Sequence, residues 1–184
     1  MRIHIPIHLE KLEIISQLKK ILIEYSKGGL TSDGTNSLDS YLYQRSLDPV
    51  RKFLIMCIPN NQNNQLDYNV LIDYYTNKFF SFRGTTKIFD ILNEIKDVLN
   101  ISITSYKYSV NGLDITFDKV STSDINLFNK TISEFFSALL YYQEYVDIIK
   151  ELNLNLTTEI NSFISGGFVS FNELTVDGEY VNEV

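Results

Sequence analysis

Polar and apolar residues alternate from the second position: Arg2, His4, Pro6 and His8 fall on one side, Ile3, Ile5 and Ile7 on the other. A period of two is that of a β-strand with one buried face. Pro6 has no N–H to give to a ladder, so this strand belongs at a sheet edge. From Leu9 the period lengthens, and Leu12, Ile15, Leu18, Leu22 and Tyr25 make a helical stripe, thickened by Ile14 and Ile21 and stopped by Gly28-Gly29. KGGLTSDGTNS reads as a polar loop, followed by a short helix from Leu38 to Leu47. RKFLIMCIP, after Asp48-Pro49, reads as a buried strand with a helix as the alternative. NNQNNQ, residues 60 to 65, is too polar to pack and reads as an exposed loop. LDYNVLIDYYTNKFF fits either helix or strand. Thr85 or Thr86 then caps a helix with Ile88, Ile91, Leu92, Ile95 and Val98 inward.

Asn111-Gly112 lies between two alternating runs, as a two-residue type I′ hairpin turn requires. That turn pairs Val110 with Leu113, Tyr108 with Ile115 and Tyr106 with Phe117, all on one face. Ser121, Thr122 or Ser123 caps the longest helix, Asp124 to Leu152, about 43 Å long. Its Ile125, Phe128, Ile132, Phe135, Leu139, Tyr142, Val146 and Ile149 repeat at alternating spacings of three and four, which suits a coiled coil. Phe136, Leu140, Tyr145 and Ile148 widen the stripe, which favours burial within the chain. A short helix at Thr158 to Ser165, Gly166-Gly167 and a second hairpin about Asp177-Gly178 complete the pattern. These elements predict an α+β fold: a single domain over residues 1–165 with one long helix, shorter helices and antiparallel hairpins, then an extended acidic C-terminal arm over 166–184.

Charge adds one feature. The chain has 184 residues and a net charge of −7. Six carboxylates (Glu151, Glu159, Glu173, Asp177, Glu179 and Glu183) and no Lys or Arg fall within the last 34 residues. Such an end frays unless something holds it, because repelling charge and a free terminus offset little chain entropy. A partner or an assembly is therefore expected. The acidic balance and the absence of a basic face argue against nucleic acid as a sequence-specific ligand. No apolar run approaches the roughly 18 residues of a membrane span and no secretion signal is visible, so a cytoplasmic chain with no membrane partner is expected. Frequent Ile, Asn, Lys, Tyr and Phe beside a single alanine, Ala138, reflect AT-rich codons.

Candidate chemistry is sparse. His4 and His8, the two histidines, sit roughly 13 Å apart on a strand, too far to share an ion. Cys57 lies in an apolar run and reads as a small buried hydrophobe. No GxSxG and no GxxxxGK[ST] is present, and the tail acids lack the DxDxDG spacing of a calcium loop. Asp114 and Asp118 read as a solvated sheet face. No catalytic residue, cofactor or metal is assigned, and an enzyme is not expected.

The expectation is instead a structural assembly protein that forms a homo-oligomeric ring through its terminal segments. An extended arm gains affinity by adding a strand to a neighbour's sheet edge. The interface residues would be Ile3, Ile5 and Ile7 of the first strand, Gly166 and Gly167 as hinge, and Phe168, Phe171, Glu173, Asp177, Glu179, Tyr180 and Val181 of the arm. An acidic inhibitor or immunity-type protein that binds a basic partner is the alternative. MRIHIPIHLEKLEII at the start and GGFVSFNELTVDGEYVNEV at the end resemble the small neck, connector and tail-ring proteins of tailed bacteriophages. The resemblance implies a virion location, other virion structural proteins as neighbours, and several copies around a channel axis.

Overall fold

The computed structural model describes residues 1–29, 38–61, 63–81, 83–154, 157–166, 175–176 and 179–180, and shows an α+β chain. The N-terminal alternation forms β1 (Arg2–Ile5), and the stripe after it forms α1 (Lys11–Glu24), which runs into a π-helical turn, Tyr25–Gly29. Next come α2 (Leu38–Cys57), α3 (Gln65–Phe80), α4 (Thr85–Glu94), β2 (Ser102–Ser109), β3 (Gly112–Lys119), α5 (Ile125–Leu152) and α6 (Thr157–Ser165). β4 (Thr175–Val176) and β5 (Glu179–Tyr180) pair antiparallel across positions 177–178, where the second hairpin was expected.

The chain divides into two compact units: residues 1–8 with 46–140, and residues 9–45 with 141–184. The expected boundary after residue 165 falls inside the second. The first unit holds a three-stranded antiparallel sheet in the order β1-β3-β2, so β1 is an edge strand as its proline foretells, and β2 is the other edge. Met1 lengthens the β1–β3 ladder: its amine donates to the Phe117 carbonyl at 2.8 Å, and the Phe117 N–H donates back at 2.7 Å. The inner sheet face carries Ile3, Ile5, Leu113, Ile115 and Phe117, all buried, and Phe128 of α5 meets Phe117 edge to face at 5.1 Å. Phe135 of α5 lies between Phe53 of α2 at 4.0 Å and Phe79 of α3 at 5.2 Å. The second unit packs Ile14, Ile15, Leu18 and Leu22 of α1 with Val146 and Ile149 of α5 and Ile160 and Phe163 of α6. Tyr145 donates to Gln17 at 3.0 Å, and Lys11 pairs with Glu151 at 2.9 Å.

Four local expectations are corrected. RKFLIMC of this run is helix, not strand, and α2 runs unbroken from Leu38 to Cys57 with Pro49 inside it. Val50, Phe53, Leu54, Cys57 and Ile58 are all buried at helical spacing, and this periodicity outweighs the apolar run. The hairpin register is offset from the expected one: Ser109 faces Gly112, Tyr108 faces Leu113 and Tyr106 faces Ile115. Its central turn residues are Val110 and Asn111, and Asn111 does not take the positive φ of a type I′ turn. Gly112 (φ +126°) is needed for another reason: a Cβ there would lie 2.2 Å from the Ile5 carbonyl oxygen, where β1 ends against the turn. The third correction concerns caps. Asp124 accepts from the Leu127 N–H at 3.0 Å to start α5, and Gly84 (φ 92°) stands before α4. Finally, Leu12 and Val98 are exposed, not inward. The coiled-coil alternative for α5 gives way to burial within the chain: Phe128, Ile132, Phe135, Phe136 and Leu139 have no exposed surface.

Candidate functional site

The two sheet edges differ in how they meet solvent. A free edge invites further strands, and proteins blunt it with short length, proline and charge. β1 has all three: four residues, Arg2 and His4 on its outer side, and Pro6 just beyond. His4 Nδ1 lies 2.7 Å from Asp114 Oδ1, and Lys107 stands opposite Asp114 on β2, so a polar row crosses the outer face. β2 is eight residues long, carries one charge, and exposes six of its residues on both faces. Its inner-face Tyr106 and Tyr108, opposite Ile115 and Leu113, remain 41% and 39% exposed. Ser109 and Gly112 close the hairpin, and strand parity then turns the Lys107 and Ser105 peptide groups toward β3 and that of Tyr106 away from it.

Beside that edge lies a cleft of about 770 Å³, bounded by β2 and α4. α5 positions it. Phe136 packs on Phe135 at 5.0 Å and on Phe89 of α4 at 5.2 Å, and Phe89 carries Tyr106 stacked at 3.7 Å with its ring within 3° of parallel. At the foot of α4, Lys78 of α3 hydrogen-bonds Glu94 at 2.7 Å, and this bond raises the Lys78 pKa. Phe89, Leu92, Ile101 and Ile103 give the cleft its apolar lining, while Asn93, Lys96, Lys119, Asp90 and Asp97 give it polar groups of balanced charge. A smaller cavity of about 280 Å³ shares Asp97 and Lys119 and reaches Tyr68, whose hydroxyl donates to the Ile58 carbonyl at 2.5 Å. An open strand edge, an apolar floor and charged groups of both signs suit an extended polypeptide.

The expected interface residues divide into four sets. Ile3, Ile5 and Ile7 are buried, so their side chains are core, a correction that for Ile3 and Ile5 follows from β1 pairing with β3. Gly166 ends α6 in the left-handed conformation (φ 80°), its N–H donating to the Phe163 carbonyl at 3.0 Å. Glu179 and Tyr180 lie in β5, and Gly167, Phe168, Phe171, Glu173, Asp177 and Val181 lie outside the described residues. The cleft residues Phe89, Asn93, Lys96, Tyr106 and Lys119 were not singled out in the sequence. One signal was present: SITSYKYS lacks the apolar side expected of a well-covered strand. Among the described residues there is no cluster of three or more His, Cys, Asp or Glu able to hold a metal ion, and no helix long and apolar enough to cross a membrane. No protein-family model matches the chain, and no curated protein and no solved structure matches it.

Proposed function

We propose that the chain is a structural assembly subunit that builds a homo-oligomer by strand addition, the C-terminal segment of one copy entering the β2–α4 cleft of the next. The observation that carries this reading is the long, nearly uncharged β2 edge beside a cleft of mixed apolar and charged lining. The segment 167–184 has 18 residues, and it reaches at most about 60 Å only when the β4–β5 pairing opens, a span ample for a neighbouring subunit. Phe168 and Phe171 supply apolar anchors for the floor, and Glu173, Asp177 and Glu179 supply carboxylates for Lys96 and Lys119. A head-to-tail contact of this kind closes into a ring when its rotation closes. The resemblance of the two termini to neck, connector and tail-ring proteins supports placing that ring in a virion, among other structural proteins.

The test is the mass in solution of the full chain and of Asn93→Trp, measured at low and high salt. Asn93 is exposed on α4, so the indole fills the cleft without entering the core. The wild type is expected to be multimeric and the variant to fall to smaller species with an unchanged melting temperature. A wild type that is monomeric at every concentration and salt would reject the reading and favour a lone acidic binder of a basic partner.

A further inference from the structure

Asn111 and Gly112 sit at the tip of the β2–β3 hairpin in opposite surroundings. Asn111 is exposed, and its side-chain amide has no hydrogen-bond partner among the described residues, although its backbone N–H donates to the Ser109 hydroxyl at 3.3 Å. Gly112 is buried and pairs with Ser109 in the ladder. A Cβ there would lie 2.2 Å from the Ile5 carbonyl oxygen and 3.0 Å from both the Ile7 nitrogen and the Pro6 Cα, so the end of β1 and the two residues after it bear on the Gly112 backbone. A free amide thus stands next to a clamped glycine.

Such a pair can condense, because a residue without Cβ leaves its nitrogen open to a neighbouring amide carbon. The Gly112 nitrogen attacks Asn111 Cγ; an N–Cγ bond forms, the Cγ–Nδ2 bond breaks, and the Gly112 amide proton departs with Nδ2 as ammonia. Water then opens the five-membered imide. Cleavage of the N–Cγ bond leaves an aspartyl residue at position 111. Cleavage on the other side of the nitrogen leaves an isoaspartyl residue, whose main chain runs through Cβ and Cγ and is one atom longer. Ring closure requires rotation between Asn111 and Gly112, which the ladder and the Ile5 contact both oppose. The reactive form is therefore one in which β1 has lifted. β1 has four residues, lies at a sheet edge and begins at Arg2, so it belongs among the parts that open locally without global unfolding. A main chain lengthened beside Gly112 no longer fits where the Ile5 carbonyl leaves no space for a single added carbon.

We infer that Asn111 is a self-modification site guarded by β1: it deamidates through Gly112 when β1 lifts, and the isoaspartyl product keeps β1 from returning. β3, the middle strand, then carries an open edge of its own. This device does not depend on strand addition at β2. The experiment is peptide mapping of the full chain held in mildly alkaline buffer, beside the same chain in guanidinium chloride and beside Ile5→Val and Asn111→Gln. The folded chain should gain acid at position 111 at least about tenfold more slowly than the denatured one. Ile5→Val removes one buried carbon from the end of β1 and should speed the change by roughly two- to tenfold. Asn111→Gln alters an exposed side chain and closes only a slower six-membered ring, so it should stop the change. In the isolated isoaspartyl form, amides of residues 2–5 should exchange faster than in the starting chain, while aged Asn111→Gln keeps its original protection. A denatured chain that gains no acid at position 111 would overturn the site. Equal rates in folded and denatured chains, or an Ile5→Val no faster than wild type, would overturn the guard. An isoaspartyl form whose β1 amides exchange as slowly as before would overturn the switch.

Discussion

At the scale of single residues, Gly112 and Cys57 carry opposite lessons. Gly112 looks like half of a turn signal, yet its structural role is to let β1 approach; any Cβ collides with backbone that cannot swing aside. Gly112→Ala is expected to cost about 3 kcal/mol or more from the collision and the φ of +126° together, read from a denaturant midpoint. Cys57 is the buried apolar residue that its sequence context implies, and burial pushes its thiol up to about 12 from an ordinary value of 9.0. Between those values the folded chain keeps a proton that the unfolded chain has lost. The stabilisation is complete below pH 9 and declines as pH rises through the window, by up to about 1.4 kcal/mol per unit. Tyr145, pushed up to about 12 chiefly by burial, adds a loss of the same sign starting near pH 10. Urea unfolding at pH 8, 9 and 10 should show this decline, and Cys57→Ala should flatten it between pH 9 and 10.

At the scale of elements, legibility followed periodicity. α1 and α5 were readable because their stripes run for three turns or more, and β1 because alternation and Pro6 agree. α2 was missed in its second half because Ile and Cys in a short run imitate a strand, although Val50, Phe53, Leu54 and Cys57 already held the helical spacing. The hairpin was placed on the right residues with the wrong register, since Asn-Gly competes with a tertiary contact from β1 that a local reading does not contain. Ser109 takes part in the turn that forms: its hydroxyl accepts from the Asn111 N–H at 3.3 Å. The cleft depends on α4 and β2 being brought together through Phe89 and Tyr106, residues 17 positions apart, and no local pattern encodes that meeting. Phe135→Ala, which removes the ring shared by Phe53, Phe79 and Phe136, should cost about 3–5 kcal/mol by denaturant unfolding.

At the scale of the whole molecule, the chain concentrates its negative charge in a C-terminal segment and leaves its longest sheet edge open. The proposed assembly would seat the arm expected from the sequence in the β2–α4 cleft, whereas Ile3 and Ile5 of the first strand, expected to share the interface, are buried. Removing residues 167–184 should leave helix content and melting temperature close to those of the full chain while abolishing assembly; loss of folding would mean that the segment belongs to its own core. Assembly by strand addition requires β2 to receive a strand from another copy. Amide hydrogen exchange of the peptide covering residues 102–109, followed as a function of protein concentration, reports on that event directly. Protection of β2, the Tyr106 amide included, should rise as the protein is concentrated while β1 stays unchanged. Exchange across 102–109 that is equally fast at every concentration at which the protein is multimeric would contradict it.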